Sequence, residues 1–119
     1  MTAFRILLII LLTVLIGYTG IVIANHGLGL LNVFLGDIAV MGWPGQFNLD
    51  FMFMLILSAL WVAWRHQFSA SGILLSVLAL FGGSLFLTIY LLILSWQSKG
   101  NMKQVLLGKA RVQEDLNAA

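Results

Sequence analysis

Three long apolar runs divide the chain. The first, Ile6 to Ala24, holds nineteen residues and as a helix rises roughly 28 Å, close to the roughly 30 Å hydrocarbon core of a bilayer. The second, Phe47 to Trp64, is similar in length and carries Asp50 near its start. The third, Gly72 to Trp96, has twenty-five uncharged residues and would reach roughly 37 Å, so as one crossing it must tilt or extend into the headgroups. All three are expected to be helical, because lipid offers the backbone no hydrogen-bond partners and a closed barrel needs many more strands. The predicted helices cover about residues 4–24, 47–65 and 72–97.

Between the first two runs, Leu28 to Gly36 is apolar apart from Asn32; Asp37 then interrupts, and Ile38 to Gly42 resumes. Neither half alone could cross, so segment 28–42 is read as a short interfacial or re-entrant helix. Its rival is a fourth crossing with Asp37 near mid-depth, at an insertion cost of about 2.5–3.5 kcal/mol for an acid. The predicted fold is an all-α integral membrane protein with three transmembrane helices plus that short helix, or alternatively a four-helix transmembrane bundle. Residues 1–100 form one multi-pass domain. The tail 101–119 is a basic amphipathic or flexible segment, with Met102, Val105, Leu106 and Val112 at helical spacing and Lys103, Lys109 and Arg111 among them. Arg5, the apolar run behind it, and Val22 and Ala24 also fit a cleavable signal segment.

Composition agrees with a membrane setting. Hydrophobic residues make up 61% of the chain and charged residues 8%, against about 25% charged in soluble domains, which excludes a soluble enzyme. The absence of cysteine excludes disulfides, thiol nucleophiles and cysteine-held zinc or iron–sulfur sites. Six basic residues against Asp37, Asp50, Glu114 and Asp115 are too scattered for nucleic acid, which is not an expected partner. With three crossings, Arg5 and Arg65 share one side while Lys99, Lys103, Lys109 and Arg111 share the other; with four, Arg5 joins the C-terminal cluster. Both arrangements favour a cytoplasmic C-terminus by the positive-inside rule.

Small residues recur at helical spacing in two places. Thr13, Gly17, Gly20 and Ala24 line one stripe of the first helix; Gly72, Ser76, Ala79 and Gly83 repeat the pattern in the third, with Tyr90 continuing that face. Such stripes let backbones approach in lipid and are candidate helix-packing seams. The alternative reading of Gly82 and Gly83 is a hinge or groove. Trp43, Trp61, Trp64 and Trp96 lie at the helix limits, where indoles prefer the headgroup level.

The densest chemistry lies at Trp43–Pro44–Gly45–Gln46–Phe47–Asn48–Leu49–Asp50. Pro–Gly marks a turn, after which Asn48 is expected to cap the second helix and place Asp50 in its first turn. An acid several residues into an apolar segment is also a candidate proton or cation site, with Gln46 and Asn48 as polar lining. Arg65, roughly 22 Å from Asp50 along the same helix, ends the segment beside His66. No nucleophile–base pair, phosphate loop or metal-binding pattern occurs, so no catalytic residue, metal or cofactor is expected. Hydroxyls such as those of Ser58 and Thr88 are expected to bond to the backbone.

The run Gly42 to Phe51, followed by Trp61–Val62–Ala63–Trp64–Arg65, resembles small multi-pass bacterial inner-membrane proteins of unknown function, a likeness that extends over the third helix and Leu106–Leu107–Gly108. The resemblance implies a bacterial inner membrane and directs attention to Asp50 and Arg65; it transfers no activity. In size the chain is also similar to the small multidrug transporters, but their coupling acid lies in the first helix, and Ile6 to Ala24 contains none. The expected function is that of a non-enzymatic structural or accessory component. Its partners are the bilayer and either further copies or a larger membrane complex. The alternative is a small oligomeric transporter or channel that uses Asp50.

Overall fold

The computed structural model describes residues 1–118 and is all-helical, with no strand among them. Six helices follow in order: α1 Thr2–His26, α2 Leu30–Val40, α3 Trp43–Arg65, α4 Ala70–Gln97, α5 Met102–Leu107 and α6 Lys109–Ala118. α1, α3 and α4 are each long and apolar enough to cross a membrane.

α3 begins at Trp43, four residues before the expected start, because Pro44 occupies the first turn, where its fixed φ favours a helix and its missing N–H costs nothing. This corrects the predicted cap. Asn48 lies inside α3 rather than before it, and its amide donates to the Phe34 carbonyl of α2 at 3.2 Å. α2 runs back along the first half of α3, with Asp37 and Ile38 against Gly45. At Gly45 any side chain would collide with the Asp37 and Ile38 backbone. The absence of a Cβ is what lets these two helices touch. Eleven residues rise only about 16 Å, so α2, packed against α3, is too short to be a further crossing.

α4 accommodates its excess length by breaking rather than tilting. Ser69 caps its start, the hydroxyl accepting from the Gly72 amide at 3.2 Å. At Gly83 the backbone leaves the helix (φ 55, ψ −140), and the second half turns back. The fold-back follows from two contacts. Gly72 packs against His66 Cβ, while His66 Nε2 lies 2.5 Å from the Tyr90 hydroxyl. In a straight helix Gly72 and Tyr90 would be about 27 Å apart. Gln67 and Gln97, which flank the two ends of α4, border one cavity.

The returning half of α4 is the most enclosed part of the molecule. Thr88, Tyr90, Leu92, Leu94 and Ser95 are all buried, between α1 on one side and α3 on the other. Val62, Ala79, Tyr90, Leu94 and Val105 form the core, and Val62 and Val105 are fully excluded from solvent. Hydroxyls in this region satisfy themselves locally, as expected: Thr88 donates to Ser84 O at 2.7 Å and Ser95 to Leu92 O at 2.8 Å.

The fold-back has a consequence for charge. Arg5, Arg65, Lys99, Lys103, Lys109 and Arg111, all six Lys and Arg side chains, gather at one end of the bundle. Met1 packs beside Gly100 at this end, so the chain's start lies next to the loop that leads into the tail. Asp37 and Asp50 lie toward the other end, with the α2–α3 turn.

Candidate functional site

The basic end is built from four separate stretches of chain. Arg65, the last residue of α3, donates from Nε to Val105 O at 2.7 Å and from Nη2 to Gln104 O at 3.1 Å. Trp61, one turn earlier, donates its indole N–H to Leu106 O at 3.0 Å. Three consecutive carbonyls at the end of α5 thus receive donors from one face of α3, where a cation also complements the helix terminus. Arg111 of α6 stacks 3.8 Å over the Trp64 ring and donates to the Trp64 carbonyl. The tail is therefore docked. Asn101 caps α5 by accepting from the Gln104 amide, and Lys103 and Asp115 pair at 3.5 Å between the two tail helices.

Arg5 holds the start of α1 in the same way. Its Nε donates to Ser95 Oγ at 3.0 Å and its Nη2 to Ser95 O at 2.8 Å, in the last turns of α4. Both arginines are bound by neutral oxygens, so their charges remain uncompensated.

His66 sits between Arg65 and Tyr90. Arg65 Nη1, which can only donate, lies 3.5 Å from Nε2, and the Tyr90 hydroxyl lies 2.5 Å from the same atom. Nε2 is therefore the acceptor, and the ring proton belongs on Nδ1. Burial, with the Arg65 charge second, holds the imidazole below its ordinary value of 6.5, so it is neutral at pH 7. Tyr90 is itself gripped by Phe86, stacked at 5.3 Å, and by Trp61, edge-on at 6.0 Å.

The other sequence-predicted residues do not join this cluster. Asp50 and Gln46 are exposed on the outward face of α3, along the line of Trp43, Phe47, Met54 and Leu57, while Asn48 is turned to α2. Asp50 has no hydrogen-bond or ion-pair partner among the described residues. On α1, Thr13, Gly17, Gly20 and Ala24 are exposed, and a Cβ added at Gly17 or Gly20 would meet nothing within 4 Å. On α4 the corresponding stripe is used within the chain: Gly72 lies against His66, Ala79 is in the core, Gly83 meets Phe51, and Ser76 donates to Ile73 O at 2.7 Å.

Arg5, Ser95, Arg111 and Gly45 gave no comparable signal in the sequence, since their partners lie forty or more residues away, or, for Gly45, behind a Pro–Gly that reads as a turn. No family model, curated protein or solved structure matches this chain.

Proposed function

We propose that this chain is a non-enzymatic accessory component of a membrane, completed by association with further copies of itself or with a larger membrane complex. The observation that carries the reading is Asp50. It lies about 10 Å along α3 from Trp43, exposed on an apolar face with no partner among the described residues. Acids within membrane segments face a bundle interior or a polar cavity, because acyl chains solvate a carboxylate poorly. A face that carries one outward is a face another chain covers. The uncovered small-residue stripe of α1, where a neighbouring helix could approach closely, supports the same conclusion.

The gathered cations support a bacterial inner-membrane orientation with the basic end, and hence both the chain's start and its tail, in the cytoplasm. A second reading, an oligomeric transporter or channel, draws on the same carboxylate, with Gln46 one turn away on its face.

Single cysteines at Phe47 and Met54, which flank Asp50, are expected to give cross-linked adducts in native membranes; exclusively monomeric chain after cross-linking and native electrophoresis contradicts association. Asp50→Asn then separates the two readings. Under the accessory reading any flux in proteoliposomes is unchanged. Loss of pH-dependent flux with assembly intact selects the transporter.

A further inference from the structure

A cavity of about 400 Å3 opens at the basic end, floored by Leu94 and rimmed by Arg65, His66, Gln67, Gln97, Gln104 and Lys109. Its walls come from the α3–α4 turn, the end of α4 and the start of α6, so it exists only because α4 returns and the tail docks.

Its chemistry is one-sided. Lys103–Asp115 is the only ion pair among the described residues, and neither of its members borders the cavity. Arg65 spends its Nε and one Nη2 hydrogen on tail carbonyls, which fixes the guanidinium in place while leaving its charge unneutralised and further N–H groups free. Lys109 is exposed at the rim, and Gln67, Gln97 and Gln104 add neutral donors. Among the described residues, no carboxylate lines the cavity. Exposed Trp64 and Trp96 belong to the same end, and indoles settle at headgroup depth. A fixed guanidinium, a mobile ammonium and several amide donors around an opening at that depth match a tetrahedral oxyanion.

We propose that this cavity binds a phosphate group, carried either by an anionic phospholipid of the surrounding leaflet or by a free phosphorylated anion. The site is independent of how the chain associates, since none of its residues lies on the Asp50 face or on the stripe of α1.

Native mass spectrometry of the full chain, released from detergent and titrated with phosphatidylglycerol or phosphatidylcholine, tests it. Phosphatidylglycerol is expected to be retained preferentially, with inorganic phosphate displacing it. Lys109→Gln is expected to weaken retention about tenfold, the loss of one charge-assisted hydrogen bond. Lys99→Gln, at the same end but outside the cavity, leaves retention unchanged. If inorganic phosphate binds, seen as Lys109-dependent broadening of its phosphorus resonance, while the two lipids are retained equally, the phosphate site stands and its source is a soluble anion. Equal retention of both lipids without phosphate binding overturns the proposal, as does an equal loss in Lys99→Gln and Lys109→Gln, which marks diffuse attraction rather than a site.

Discussion

Gly83→Ala is expected to destabilise the protein strongly. The backbone at Gly83 (φ 55, ψ −140) lies where L residues are strained, at about 1–3 kcal/mol, and the new methyl would sit 3.0 Å from Phe51 Cζ. The escape from that strain is a continuous helix. Twenty-eight residues without a break would extend about 42 Å, carrying Gln97 and the tail away from Arg65. The core formed by Val62, Ala79, Tyr90, Leu94 and Val105 would then come apart, because its members belong to both halves of α4, to α3 and to α5. Thermal unfolding in detergent is expected to show a lower midpoint for Gly83→Ala. Gly36→Ala, in α2 with nothing within 4 Å of the added methyl, serves as the control and leaves the midpoint unchanged or raises it. Equal effects of the two substitutions would show that the break at Gly83 is not needed.

The second large effect is expected at Arg65. Alanine there removes both donors to Gln104 O and Val105 O, charge-assisted bonds of about 1.5–3 kcal/mol each that are not strictly additive. It also removes the Cγ that lies beside Gly108, leaving only the Arg65 carbonyl against that turn. Limited proteolysis is expected to cleave the α5–α6 segment at least about tenfold faster in Arg65→Ala than in the parent, as loss of one such bond implies. Arg65→Lys should recover only part of the protection, because an ammonium cannot serve two carbonyls with the geometry of a guanidinium fork. Tail cleavage as slow in Arg65→Ala as in the parent would mean that Val105 and Trp61 hold the tail alone.

The all-helical class and the three long apolar helices were legible because hydropathy and the need to satisfy the backbone in lipid leave few choices. The short helix at 30–40 was legible too, since Asp37 and its length both argue against a crossing. What escaped was the path of the chain in space. Charge counting assumes that each long apolar run crosses once, and on that assumption Arg5 and Arg65 oppose the C-terminal cations or divide from one another. One backbone angle at Gly83 changes this and brings all six together. The Gly82–Gly83 pair showed that something could bend there. It could not show the direction, which depends on the partners Ala79 and Tyr90 find across the bend. The basic site was hidden for the same reason: Arg65 was legible as the end of its helix, but the carbonyls it binds lie about forty residues further on. Asp50, expected in the first turn of its helix, lies about two turns in because α3 already starts at Trp43, and its outward orientation depends on how α2 and α4 take up the other faces of α3.

With α4 bent back at Gly83, the start of the chain, the α3–α4 turn and the tail lie at one end of the bundle, and that end is expected to occupy one side of the membrane. The direct measurement places single cysteines in this cysteine-free chain at Thr2, Ser69, Asn101 and Met41, and labels them with a membrane-impermeant maleimide in intact cells and after lysis. Thr2, Ser69 and Asn101 are expected to label together from one face and Met41 from the other. Labelling of Ser69 and Asn101 from opposite faces would mean that α4 crosses the bilayer and does not fold back at Gly83.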